Sequence, residues 1–145
     1  MLAAPTRRFD PAAWAVFCAR VILGLIFGMA GYWKCFVLTP VGHFHRFFEP
    51  FAGTWIPMWL LWAAGVTIPV VELVFGWLLV VGLWIEASIV ALGLVLITVT
   101  YGHLLQDALY SFTGHVIPRL ALLVFVALMA DRDAYSIDAW RRARR

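Results

Sequence analysis

Charge is scarce in this chain. Lysine and arginine together number 11, aspartate and glutamate 8, while 64% of the 145 residues are hydrophobic and mean hydropathy is +0.92. A water-soluble domain of this size, which has room for one fold, would expose far too much apolar surface. The net charge of +3 is no nucleic-acid signature, because five of the basic residues sit in the last fourteen positions as a tail. Cysteine is nearly absent. Cys18 and Cys35 lie on one predicted helix about 26 Å apart at ~1.5 Å per residue, which excludes a bridge between them. The lack of any CxxC argues against a thiol relay. No nucleophile–base motif, phosphate loop or dinucleotide fingerprint is present, so a free-standing enzyme is not expected. The opening MLAAPTRRFDP lacks the small-residue cleavage site of a signal peptide, and the apolar run after it continues to full span length.

Long apolar runs are what the chain does have. Runs of about 20 such residues mark transmembrane helices, and the pattern predicts an all-α integral membrane four-transmembrane-helix bundle. It forms one domain over 1–145, with spans at about 12–38, 56–83, 87–105 and 116–130 and a basic tail at 131–145. Asp10-Pro11 reads as a cap followed by proline in the first turn, and TPVG (39–42) ends the first span. HFHRFFEPFAG (43–53) reads as a polar, aromatic loop, and QDALYSFTGH (106–115) as a second. Pro69 offers a kink in the long second span. Ser136 is positioned to cap a short amphipathic helix in the tail. Arg7, Arg8, Arg132, Arg141, Arg142, Arg144 and Arg145 all lie near the termini. The positive-inside rule therefore puts both termini in the cytoplasm and both long loops outside. Trp55, Trp59 and Trp84 fall at the expected interfaces. The location this implies is a membrane, crossed several times.

Small residues mark the packing faces. Arg20, Gly24, Gly28, Gly31 and Cys35 share one face of the first span, and its GxxxG lets a neighbouring helix approach closely. Gly65, Pro69, Glu72, Gly76 and Leu79 share a face of the second. Gly93, Thr100, His103 and Asp107 do so on the third. Glu72 is thus an intramembrane carboxylate on a packing face, where charge costs roughly 2.5–3.5 kcal/mol. Three readings remain open for it and for the intramembrane Arg20. They pair with each other; Arg20 snorkels to the interface; or Glu72 is protonated and bonded to a carbonyl freed by Pro69.

A second polar group gathers at the loop end: Lys34, His43, His45, Arg46, Glu49, His103, Asp107, His115 and Arg119. Imidazoles and a carboxylate there suit a quinone or a proton relay. The spacing matches no metal or haem motif, so those ligands are disfavoured. A quinone-like ligand would sit among Trp33, Phe44 and Tyr101.

ARVILGLIFGMAGYWKCF (19–36) and PVVELVFGWLLVVGLWIEAS (69–88) resemble the first two spans of the DoxX family, to which DoxD and MauE-type proteins are related. The resemblance covers about residues 19–105 and rests on Arg20, Gly31, Lys34, Glu72 and Gly76. It implies a small four-helix membrane protein. It also implies a quinone-linked redox role, since the family takes its name from a subunit of a thiosulfate:quinone oxidoreductase. The absence of paired cysteines departs from what a thiol-handling member would need. Three functions follow as expectations: an accessory subunit of a quinone-linked redox system, a non-catalytic membrane anchor or assembly subunit, or a small-molecule or proton-coupled carrier using Glu72. The expected partners are the lipid bilayer, a redox partner protein and further copies of this chain, with no nucleic acid.

Overall fold

The structure, a computed structural model, describes residues 9–107, 109 and 112–144. Arg7, Arg8 and Arg145, used above for orientation, lie outside these residues. Among the described residues every regular element is helical. Helix α1 spans Pro11–Tyr32 and is capped by the Asp10 carboxylate, which accepts from the Ala12 and Ala13 N–H groups. This satisfies amide groups that have no partner within the helix. A π-helical turn, Trp33–Val37, follows directly. Then come α2 (Pro40–Phe47), α3 (Met58–Val81), α4 (Ile85–Gln106), α5 (Val116–Leu128) and α6 (Ile137–Arg142).

Three helical segments are long and apolar enough to cross a membrane: Pro11–Val37, Met58–Val81 and Ile85–Gln106. The fourth expected span is shorter. With 13 residues, α5 extends about 20 Å at 1.5 Å per residue. It breaks at Met129 into a short 3₁₀ turn, Ala130–Arg132. Helices α1, α3, α4 and α5 pack in a ring, each against two neighbours, and α1 against α3 is by far the most extensive contact. Buried Leu23, Phe27, Ile68, Leu79, Leu92, Leu96, Leu123 and Val126 fill the centre.

The α1–α3 contact is built on glycine. Gly24 lies beside Gly76 and Val80, Gly28 beside Gly76 and Trp77, and Gly31 beside Leu73, so the two helices run antiparallel. Gly24, Gly28, Gly31, Gly65 and Gly76 are all buried, as their spacing implies. The third stripe is different. The buried face of α4 is Ser88, Leu92, Val95 and Leu96, whereas Gly93 and Thr100 are only half-buried and Asp107 is exposed. Gly93 has only the Leu123 methyls of α5 near it, 4.0 Å from where a Cβ would stand, and the larger contact of α4 is with α3.

The segment read as a loop after TPVG folds as α2. Thr39 caps it by accepting from the Gly42 N–H. Phe44 is buried, stacks on Trp62 at 4.0 Å and lies against Gly65. Phe44 thus lays α2 on α3, and at 8 residues the helix is too short to register in a search for full-length spans.

The tail docks. Ser136 caps α6 by accepting from the Ala139 N–H, as expected, but the helix is tied to the α3–α4 turn. The Asp138 N–H donates to the Gly82 carbonyl, and its carboxylate accepts from the Ile85 N–H at 3.0 Å. Asp138 thus caps α4 from 53 residues away, where a negative charge also suits the helix dipole. Gly82 takes the left-handed conformation (φ 73°) that closes the turn.

Candidate functional site

Arg20 and Glu72, the two charges expected within the spans, do not meet. Lys34 Nζ lies 2.6 Å from the Glu72 carboxylate, and Arg20 Nε lies 2.9 Å from Asp133. Register is the reason. Gly31 faces Leu73, whereas Arg20 reaches Leu79 and Val80. Seven residues of α3, about 10 Å of helix, therefore separate the level of Arg20 from that of Glu72. Arg20 does not snorkel, being fully buried. Its guanidinium donates to the Leu79, Val80 and Tyr135 carbonyls. It thereby adds a donor to two of the last carbonyls of α3, of which that of Leu79 also accepts from the Gly82 N–H. Asp133, which reading the tail as merely basic overlooked, is the counter-ion.

The carbonyl freed by Pro69 goes to another donor. Proline has no N–H for the carbonyl four residues earlier, which is that of Gly65. His43 Nδ1 lies 2.6 Å from this oxygen and replaces the missing donor, so α3 continues through Pro69 without a break. Glu72 is not involved. The i−4 rule applied to Pro69 would have singled out Gly65 from the sequence; only the docking of α2 supplies His43. His43 is buried, and burial chiefly, helped by the charge of Lys34, holds its pKa below the usual imidazole value. The bond to Gly65 opposes the shift. A folded-state pKa below the unfolded one, about 6.5, means that the unfolded chain takes up the proton first as pH falls. Stability is therefore full above about pH 6.5 and falls as pH drops towards the folded-state value, by at most about 1.4 kcal/mol per pH unit. Thermal unfolding in detergent should show this decline, and His43→Asn should flatten it. Parallel pH profiles for the two proteins would assign the decline to another group.

Above the Lys34–Glu72 pair lies a cavity of about 400 Å³. Its polar wall comes from Lys34 in the π-helical turn, His43 on α2, His103 and Gln106 on α4, and His115 and Arg119 at the start of α5. Phe47, Phe48, Phe51, Leu96, Val99 and Val116 form the apolar wall. A π-helical turn is often found at functional positions, and here it carries Lys34, which touches both the cavity and Glu72. Five of the loop-end residues singled out from the sequence thus converge: Lys34, His43, His103, His115 and Arg119. Four do not. His45 points away on α2 and pairs with exposed Glu49 at 3.0 Å, because two residues along a helix face different sides, and Arg46 is exposed beside Phe47. The exposed Asp107 carboxylate accepts from the Leu109 N–H. The aromatic lining also differs from the expected one. Trp33 and Tyr101 are 42% and 47% exposed, Phe44 is occupied with Trp62, and the phenylalanines of the 47–51 segment take their place. Among the described residues no three His, Cys, Asp or Glu side chains are grouped to hold a metal ion. Both cysteines are free.

The cavity has the size and mixed lining of sites that take a small organic ligand. Its donors, an ammonium, a guanidinium and imidazoles, suit a ligand whose polar atoms are oxygens. No family model, curated protein or solved structure matches the chain.

Proposed function

We propose that this chain is an integral protein of the cytoplasmic (inner) membrane of a prokaryote. In this reading it is a DoxX-like four-helix bundle with cytoplasmic termini, serving as an accessory subunit of a quinone-linked redox system. Three long apolar helices support the membrane location. So do Val90, Leu94 and Ile97, each at least 60% exposed on the body of α4, where water would be a poor solvent. The fourth pass would be α5 with the turn that follows it, across a bilayer locally thinned or met below its headgroups.

The observation that carries the redox reading is the loop-end cavity. It opposes phenylalanines to cationic and imidazole donors, an arrangement that suits a flat ring bearing carbonyl oxygens. Lipid extraction of the purified protein, with a visible spectrum, tests it. Near-stoichiometric quinone is expected, and its retention should fall several-fold in a Lys34→Gln variant. A preparation free of quinone that also fails to bind added quinone would sink the reading.

A second reading has its own support. Arg20, Asp133, Ser136 and Asp138 form a wholly structural network at the termini end, as an anchor or assembly subunit needs. Copurification with a partner, without bound ligand, favours it. Carriage through Glu72 has less support, because Lys34 holds Glu72 behind the cavity wall.

A further inference from the structure

We infer that the loop-end cavity selects an anionic ring, an aromatic or quinonoid head group carrying an ionised oxygen, over its neutral counterpart, with Arg119 as the residue that makes the selection. The inference rests on the ligand-site reading above and adds the charge of the ligand. It follows from counting charges around the cavity. No carboxylate belongs to the lining, which holds two fixed cations, Lys34 and Arg119. Glu72 stands behind the wall and is engaged by Lys34 at 2.6 Å. One anion thus faces two cations: Lys34 holds Glu72 in an ion pair, and the charge of Arg119 reaches the same carboxylate from farther off. Arg119 has no ion pair of its own, since among the described residues no carboxylate lies within ion-pair distance of it, so a surplus of one cation remains. The residues outside that set contain no aspartate or glutamate.

The surroundings of Arg119 sharpen the preference. Its guanidinium stacks 5.8 Å from the ring centre of buried Phe27, which fixes it without neutralising it. It projects from the first turn of α5, whose N-terminus adds positive potential. A guanidinium presents paired N–H groups that match an oxyanion better than a single carbonyl oxygen. The neighbouring imidazoles of His43, His103 and His115 can only add positive charge, so they do not remove the surplus of one cation. Apolar Phe48 and Val99 face this polar end, so a free inorganic anion would leave half of the cavity unsatisfied. A ring bearing one ionised oxygen fills both halves.

The test uses the full-length protein in detergent and two probes: a hydroxynaphthoquinone that is an anion at neutral pH, and its methyl ether, which is neutral. Quenching of tryptophan fluorescence reports binding. The anion should bind at least about tenfold more tightly, a difference of about 1.4 kcal/mol. The preference should shrink as salt screens the site. Arg119→Gln should abolish the preference by weakening the anion far more than the ether, and Arg119→Lys should keep part of it. Equal binding of the two probes by the wild-type protein overturns the anionic selection and leaves the ring site standing. A preference that survives Arg119→Gln, or one insensitive to salt, also overturns it. Failure of both probes to bind removes the ring site and this inference together. If Arg119→Gln does not fold, the wild-type salt series decides.

Discussion

Replacing Gly76 with alanine should prevent α1 and α3 from packing and abolish the folded protein in detergent. A Cβ at Gly76 would fall on the backbone N and Cα of Gly28, and 3.0 Å from the Gly24 carbonyl oxygen. Backbone cannot rotate aside as a side chain can. The helices would have to separate along the largest contact in the molecule. In a bilayer that contact is the main source of helix association, since lipid offers no hydrophobic drive to bring helices together. Ordinary overpacking costs about 1–3 kcal/mol, and a collision between two backbones belongs at or above the top of that range. Gly31→Ala should behave similarly, because its Cβ would meet the backbone of Leu73. Gly28→Ala is the informative contrast. Its Cβ would find the Trp77 ring nearest, at 3.4 Å, so a small loss is expected although Gly28 is half of the GxxxG. Gly93→Ala, 4.0 Å from the Leu123 methyls, should be neutral or slightly stabilising through helix propensity. Comparable thermal stabilities for Gly76→Ala and Gly28→Ala would show that the helices do not approach as described.

Arg20→Gln should cost about 3–5 kcal/mol, the usual consequence of leaving one member of a buried ion pair alone. Asp133 would lose its counter-ion, and the carbonyls of Leu79, Val80 and Tyr135 would lose a shared donor. Asp133→Asn should be damaging in the same range, leaving a fully buried guanidinium uncompensated. The double variant should lose clearly less than the sum of the two, because contacting residues are non-additive by roughly 0.5–3 kcal/mol. Arg20→Gln combined with Glu72→Gln should instead be additive within about 0.3–0.5 kcal/mol, since the two residues share no partner. Chemical unfolding in detergent measures these variants together with Glu72→Gln alone. Additive losses at Arg20 and Asp133, or strong coupling of Arg20 to Glu72, would contradict the pairing. The effect should also extend to the tail, because Arg20 holds Tyr135 and Asp133 beneath the α3–α4 turn. Proteolysis near Trp140 should accelerate in Arg20→Gln and not in Glu72→Gln.

The two charge pairs have different consequences for function. Arg20–Asp133 is closed on all sides and ties chain ends to helix ends. Lys34–Glu72 forms part of a cavity wall. Within the DoxX-like reading, only the second is placed to respond to a ligand. Glu72→Gln should therefore alter quinone retention more than Arg20→Asn does in any molecules that remain folded.

Periodicity and composition alone determined the helical class, three long apolar helices to within a few residues, and the small-residue faces of α1 and α3. These properties are local, because a 3.6-residue repeat states which side chains share a face whatever lies opposite. Ser136 as a cap was legible for the same reason, its bond lying within three residues. What stands opposite was not legible. The register between α1 and α3 is set by how Gly24, Gly28 and Gly31 nest against Gly76 and Leu73, and that register gave Glu72 to Lys34. Asp133 and Asp138 became partners of Arg20 and Ile85 only because the tail folds back over more than 50 residues. Likewise α2 was hidden by its length, and it brings His43 to the carbonyl that Pro69 leaves free. A sequence displays which groups need a partner. Tertiary structure assigns the partners, because distances between helices depend on the shapes of both surfaces at once.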